Sequence, residues 1–356
     1  MMNRRRVTKR LLPLLAGFAL LLSACGREDL STLNPQGPVA ETQFDLMKLS
    51  IGIMALVVVV VFAICIYVLI RFRRRPGDTS IPKQVEGNHK LEIIWTVIPL
   101  ALLLVLGVPT IQHVFGLAKD YSKDKEALQV KVTAHQYWWE FEYKDLGITT
   151  AQELIVPTGK KIMFEMTGAD VKHSFWIPSI GGKMDTNPGT TNKMYLEFPK
   201  EGVFRGKCAE LCGPSHAYMD FKAKAVSADS FERWVSAMKA PAKMPEDVEI
   251  AKAFEAKCLL CHAIGQENQG SAPNLTGIGD RQTIGGILYN SDVVADPQPG
   301  DKPAAQNLHD WIKDPQQYKP DNKMPNAAEN GLTEEELTAI AKYLADYKLD
   351  YQSSGK

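Results

Sequence analysis

Cys208-Ala-Glu-Leu-Cys212-Gly-Pro-Ser-His216-Ala-Tyr-Met219 packs two thiols, an imidazole and a thioether into one short segment. Thiolates and thioethers are soft ligands that favour copper, and imidazole suits it as well. Two cysteines four residues apart can bridge a pair of metal ions, which His216 and Met219 can then cap. A Cys208–Cys212 disulfide is the rival reading in an oxidising compartment, but it leaves His216 and Met219 without a task. A mononuclear blue-copper site is a second rival, and it needs only one cysteine.

Further along, Cys258-Leu-Leu-Cys261-His262 has the C-x-x-C-H form of covalent haem attachment. A zinc or redox reading of the same thiol pair is the alternative. Export of the segment favours haem, and so does the helix predicted to run into it through Phe254. Beyond His262 the chain holds one methionine, Met324, and one histidine, His309. Met324 is the expected distal ligand, because Met/His ligation raises a haem potential, and His309 is expected on a helix surface.

The cysteines also report the compartment. Arg4, Arg5, Arg6, Lys9 and Arg10 precede the apolar run Leu11–Leu22, and Ser-Ala-Cys25 closes it. That is the form of a secretory leader. Cys65 falls in an apolar run and reads as a small filler. Leu49–Ile70 carries no charge and is long enough to cross a bilayer, and Ile93–Ala118 is a second uncharged stretch interrupted by Pro99 and Pro109. Arg71, Arg73, Arg74, Arg75, Lys83 and Lys90 lie between them, which places that connection in the cytoplasm and both flanks outside.

From Leu128 to Val226 the pattern turns to β. Leu128-Gln-Val-Lys-Val-Thr-Ala alternates apolar and polar residues, as does Lys161-Ile-Met-Phe-Glu-Met, and Pro157-Thr-Gly159 marks a turn. Many short strands over about 100 residues predict a Greek-key sandwich or barrel. Ser227 is expected to cap a short helix with Phe231, Trp234 and Val235, and Ala240–Pro245 reads as a linker. The last module is helical: Thr333-Glu-Glu-Glu336 has the form of a capping box. Leu337, Ile340, Ala341, Leu344 and Tyr347 then fall on one face.

The formal charge of zero hides an asymmetry: from Met244 onward 10 basic and 18 acidic residues give −8, leaving +8 for the remainder. Charge of that kind tunes encounters with partners rather than fold. A merely solvated acidic surface is the plainer reading.

The copper-type segment, with Asp170-Val-Lys-His173-Ser-Phe-Trp176 upstream, resembles subunit II of haem-copper cytochrome c oxidases over about residues 40–240. The resemblance implies a cupredoxin-like β domain holding a binuclear CuA centre. Cys208 and Cys212 would be its bridging thiolates, His173 and His216 its imidazoles, Met219 a weak ligand and Glu210 a backbone-carbonyl ligand. It also implies a Mg²⁺ shared with subunit I near Glu210. Gln136-Tyr137-Trp138-Trp139 resembles the family's aromatic electron-transfer cluster, although the family begins this run with Trp where this chain has Tyr137. Simple packing of those aromatics is the alternative. Glu92, at the cytoplasmic start of the second span, matches the family's proton-uptake glutamate; an ordinary interfacial acid is the plainer reading. Cys25 resembles a lipobox cysteine, which implies lipidation.

Residues 246–350, with Pro273-Asn-Leu275 and Lys323-Met324-Pro325, resemble a class I cytochrome c domain, with thioethers at Cys258 and Cys261 and His262 as proximal ligand. A cytochrome fused behind CuA is similar to the caa3-type branch. The expected architecture is thus multidomain. It comprises a leader over 1–24, a lipidated N-terminus and two-helix hairpin over 25–120 (spans about 49–70 and 93–115), an all-β cupredoxin-like domain over 121–240 and an all-α cytochrome c domain over 246–350.

The function implied is proton-translocating cytochrome c oxidase, this subunit being the electron inlet of the complex. No catalytic residue is expected on this chain, which offers no six-histidine membrane site. Expected partners are subunit I and the other oxidase subunits, cytochrome c or another donor, and the membrane, with no nucleic acid. The expected location is the bacterial cell membrane, multi-pass, with both redox domains on the outer face. A membrane-anchored CuA/haem c carrier for another terminal reductase is the alternative function.

Overall fold

The computed structural model describes residues 17, 27–77, 79–81, 83–266, 270–349 and 351. Cys25 and all of the predicted leader but residue 17 lie outside the described residues.

Two long helices, α1 (Pro38–Arg71) and α2 (His89–Leu117), pack side by side with their central apolar windows fully exposed. They extend beyond the uncharged stretches that predicted them. Pro38 starts α1 directly after Gly37, and the Asn88 side chain accepts from Lys90 N and Leu91 N at the head of α2. A helix of 34 residues is about 50 Å long, more than the ~30 Å hydrocarbon layer requires. The surplus first turn of α1 leans on the β domain, where Ala40 N donates to Ile180 O (3.1 Å) and Val39 and Ala40 are buried. Pro99 and Pro109 do not interrupt α2; membrane helices tolerate proline where neighbouring groups satisfy the freed carbonyls.

The middle of the chain forms ten strands: β1 (Leu128–His135), β2 (Trp138–Tyr143), β3 (Ile148–Ala151), β4 (Glu153–Pro157), β5 (Lys161–Gly168), β6 (His173–Trp176), β7 (Met184–Thr186), β8 (Asn192–Glu197), β9 (Gly202–Cys208) and β10 (Asp220–Val226). They make two five-stranded sheets, β3-β2-β1-β5-β8 and β4-β10-β9-β6-β7. The alternation read in β1 sends Val130, Val132 and Ala134 into a core shared with Trp139, Phe141, Phe164, Phe175 and Phe221. A short helix, α3 (Ala228–Met238), follows its Ser227 cap and buries Phe231 and Trp234 against that core.

The C-terminal module comprises α4 (Val248–Lys257), a two-stranded ribbon β11 (Thr283–Ile284) and β12 (Leu288–Tyr289), α5 (Ala304–Lys313), α6 (Pro315–Tyr318) and α7 (Glu334–Asp346). Its own core joins Phe254 and Leu308 to the predicted stripe Leu337, Ile340, Ala341 and Leu344 of α7. The Thr333 capping box is present.

Every residue of β10 is buried, Lys222 and Lys224 included. The C-terminal module covers its outer face. Tyr289 lies 5.0 Å from Lys222 Nζ, and Tyr351 lies 5.3 Å from Lys224 Nζ. Gln282 N donates to the buried Glu153 Oε2 (2.8 Å) on the neighbouring strand β4.

Candidate metal centre

Strand pairing assembles the donors. In the antiparallel β6–β9 pair Phe175 faces Cys208, so His173, two residues away on the same side of β6, reaches the end of β9. The segment after Cys208 is closed at its base by Cys208 N donating to Met219 O (3.1 Å), and Ala209 N donates to Ser174 O (2.9 Å). Those bonds gather five side chains from two loops.

Cys208 Sγ and Cys212 Sγ are 3.9 Å apart. Both thiols are free in this arrangement, wider apart than the ~2.05 Å of a disulfide. His173 Nδ1 lies 3.9 Å from Cys208 Sγ, and His216 Nδ1 lies 3.5 Å from Cys212 Sγ. Met219 Sδ is 3.8 Å from Cys212 Sγ, and the Glu210 carbonyl is 3.2 Å from Cys208 Sγ. The ligand atoms of His173, Cys208 and Cys212 all fall within 4.8 Å of one another, and all three residues are buried.

The thiol–thiol contact lowers the Cys208 pKa, aided by His173 and opposed by burial, while the same contact and burial raise that of Cys212. Thiolate ligands must be deprotonated to hold a metal, so binding a cation here would release protons. Burial works against a charged His173, but its bonds to Cys208 and Asp170 outweigh burial and raise its pKa. Two thiols, two imidazoles, a thioether and a carbonyl form a soft donor set that fits copper.

Two residues quoted within the motifs, though given no role there, hold this centre. Asp170 Oδ1 is 2.8 Å from His173 Nε2, and its Oδ2 accepts from Gln136 N at 2.7 Å. Gln136 Nε2 in turn donates to Cys212 O at 2.7 Å. The signal was the carboxylate three residues before a histidine ligand, the kind of outer partner that orients such ligands.

The aromatic run divides. Trp139 is buried beneath the loop, with Nε1 donating to Met219 O (3.4 Å) and its ring 6.2 Å from that of His173. Trp138 stacks on His135 at 4.1 Å. Tyr137 is only 2% exposed, lying under the C-terminal module. Glu92 is remote from this cluster, in the first turn of α2, with its carboxylate 3.4 Å from His89 Nδ1.

In the C-terminal module α4 runs into Cys258, and the loop after His262 folds back upon it. Ala272 N donates to Cys261 O (3.0 Å) and Leu275 N to Ala263 O (2.8 Å). A Cβ on Gly270 would come within 2.1 Å of the Cys261 carbonyl, so only glycine permits that approach. His262 Nδ1 lies 2.7 Å from Pro273 O, which assigns its proton there and leaves Nε2 for a metal. Burial lowers its pKa and keeps the ring neutral. Met324 borders the same apolar cluster as Cys258, and Trp311 Nε1 is 3.2 Å from its sulfur. Two free thiols, an imidazole and a thioether, with Cys258 and Met324 packed against the same apolar cluster, are a donor set that fits a c-type haem. His309 lies on α5, paired with Glu334 at 3.0 Å, as a surface residue does.

A membrane-anchored electron-transfer protein is the class that this helical hairpin, soft-ligand β domain and haem-type domain define. The chain belongs to the cytochrome c oxidase subunit II family. Its residues 32–113 match the transmembrane domain of cytochrome c oxidase subunit II, 146–226 the periplasmic domain, and 248–348 cytochrome c. It is 45% identical to cytochrome c oxidase subunit 2 of Alkalihalophilus pseudofirmus, over 97% of this chain and 98% of that one. The corresponding protein of Bacillus sp. strain PS3 is 48% identical, over 98% of this chain and all of that one. Quinol oxidase subunit 2 of Bacillus subtilis is 37% identical, but over 65% of this chain and 73% of that one. The match to cytochrome c oxidase subunits is the one that includes the C-terminal module. The protein is therefore the electron-transfer subunit of a terminal cytochrome c oxidase, with a CuA domain, a cytochrome c domain and oxidase subunits as partners.

Proposed function

We propose that electrons enter this subunit at a haem c held by Cys258, Cys261, His262 and Met324. They then pass to a binuclear CuA centre held by His173, Cys208, Glu210, Cys212, His216 and Met219, and leave for subunit I. The supporting observation is the convergence of the His173, Cys208 and Cys212 donor atoms within 4.8 Å. When bound, each cofactor supplies reversible one-electron chemistry. The polypeptide contributes fixed ligand positions. The Cys208 N to Met219 O bond closes the loop, Asp170 orients His173, and Pro273 O orients His262. A site preorganised in this way rearranges little when charge arrives.

The domain limits that go with this reading are 25–120, 121–240 and 246–350. The arginine-rich connection around Arg73–Arg75 faces the cytoplasm and both redox domains face outward, making the chain a multi-pass protein of the bacterial cell membrane. Glu92 then stands at the inner surface, suited to proton uptake by the complex. The donor is cytochrome c or another one-electron carrier. A Mg²⁺ at Glu210 would compete with Lys172, whose Nζ lies 4.0 Å from the Glu210 carboxylate and 2.9 Å from that of Asp185.

Electron paramagnetic resonance of the oxidised complex tests the copper assignment. Hyperfine splitting from two equivalent coppers sharing one electron is expected, collapsing in Cys212→Ser. A single-copper spectrum in the unaltered protein would overturn it.

A further inference from the structure

The Lys319–Asp321 segment of the C-terminal module rests on the copper loop itself. Lys319 Nζ donates to Tyr137 O (2.9 Å), Tyr137 Oη donates to Asp321 Oδ2 (3.0 Å), and Ser215 Oγ donates to Pro320 O (2.6 Å). Three consecutive residues of one module thus make three hydrogen bonds to the other. Ser215 lies between Cys212 and His216, and both it and Lys319 are buried. Within the β domain, Tyr137 lies so close to the copper loop that a Cβ at Gly213, whose φ is +134°, would stand 2.4 Å from Tyr137 Oη.

Each half of the contact is tied rigidly to its own redox site. On the copper side Gln136, adjacent to Tyr137, holds the Cys212 carbonyl and is held by Asp170, the partner of His173. On the haem side the turn is fastened within itself. Asp321 N donates to Gln316 Oε1 (2.9 Å), Gln316 Nε2 to Asn322 O (2.7 Å), Asn322 Nδ2 to Lys319 O (2.6 Å) and Met324 N to Asn322 Oδ1 (2.8 Å). A continuous series of covalent and hydrogen bonds therefore links Cys212 to Met324 through Gln136, Tyr137 and Asp321.

We propose that Tyr137, Ser215, Lys319 and Asp321 are positioning residues, forming an internal dock that fixes the haem module on the copper loop and sets the rate of electron transfer between them. The same contact buries Tyr137, so an external donor cannot use that surface and must reach the haem module instead. Electron tunnelling falls steeply with distance, and a mobile tether would sample many distances. The dock holds one geometry, which is the benefit of orientation for any transfer between two centres. Tyrosine suits this position because its hydroxyl supplies the bond to Asp321.

The inference rests on the copper and haem assignment proposed above, and the test separates the two. Tyr137→Phe, Asp321→Ala and the double variant are made in the intact oxidase, and haem-to-copper transfer is timed after photo-injection of one electron into the haem module. Each single variant is expected to slow transfer by roughly tenfold, the scale of losing a hydrogen bond to a charged group, and the double variant by little more than either. The effects should be less than additive, because both substitutions remove the same bond. The copper resonance spectrum, the haem α-band and both potentials should stay unchanged. An unaltered transfer rate in the double variant overturns the dock. A slowed rate accompanied by a changed copper spectrum also overturns it, since the residues would then support the copper site alone. A wild-type spectrum lacking the two-copper pattern would instead remove the underlying assignment.

Discussion

Asp170 has the most to lose at the level of single residues, because one carboxylate serves both the His173 ring and the Gln136 backbone. Asp170→Ala should loosen His173 and weaken copper retention by roughly 10- to 100-fold, the usual scale for partners that orient metal-binding histidines. Competition with a copper chelator would measure this, and unchanged retention would deny Asp170 the role. Met324→Ala should lower the haem potential by removing the thioether ligand; a redox titration that did not move would refute the ligand assignment. The candidate ligands were legible in the sequence because cysteine, histidine and methionine are scarce types set at telling intervals. Gln136 was not legible as a partner, and Asp170 only through its place three residues before His173. Carboxylates and amides occur everywhere, and only the folded loops bring Gln136 to Cys212 across 76 positions.

Among the elements, α7 and β9 make contrasting cases. The Thr333 box was readable because a cap is a local event, complete within four residues. Thr333→Ala should cost about 1 kcal/mol, seen as a lower melting temperature of the haem absorbance with the copper spectrum intact. In β9, a Cβ on Gly206 would meet the Phe221 ring at 2.0 Å on the paired strand β10. Gly206→Ala should therefore force the ring to move and destabilise the β domain by about 1–3 kcal/mol. A melting curve identical to that of the unaltered chain would refute this. That constraint was invisible in the sequence, since nothing local distinguishes Gly206 from a turn glycine. The burial of Lys222 and Lys224 was hidden for a related reason: strand alternation reports one sheet face, not what covers the other.

Considered as a whole molecule, the chain is held to the membrane twice over if Cys25 is lipidated. Cys25→Ala should abolish incorporation of labelled lipid and yet leave the protein in the membrane fraction, because α1 and α2 suffice to span. Release into the medium would refute the topology. The order of hairpin, β domain and haem module could be read from hydropathy and motifs, since each leaves a periodic or compositional mark. The surface between the last two could not. It joins Glu153 to Gln282, Thr149 to Gln266 and Tyr137 to Asp321 across more than a hundred positions, and no periodicity encodes such pairs.

Tyr351 gives the arrangement a consequence for folding. Its ring belongs to the core of the β domain, with Lys224 Nζ 5.3 Å away, and its carbonyl accepts from Arg233 Nε at 3.1 Å. The core of the β domain is therefore completed by a residue 118 positions beyond Arg233, so that domain finishes its packing only once the C-terminal module has folded back onto it.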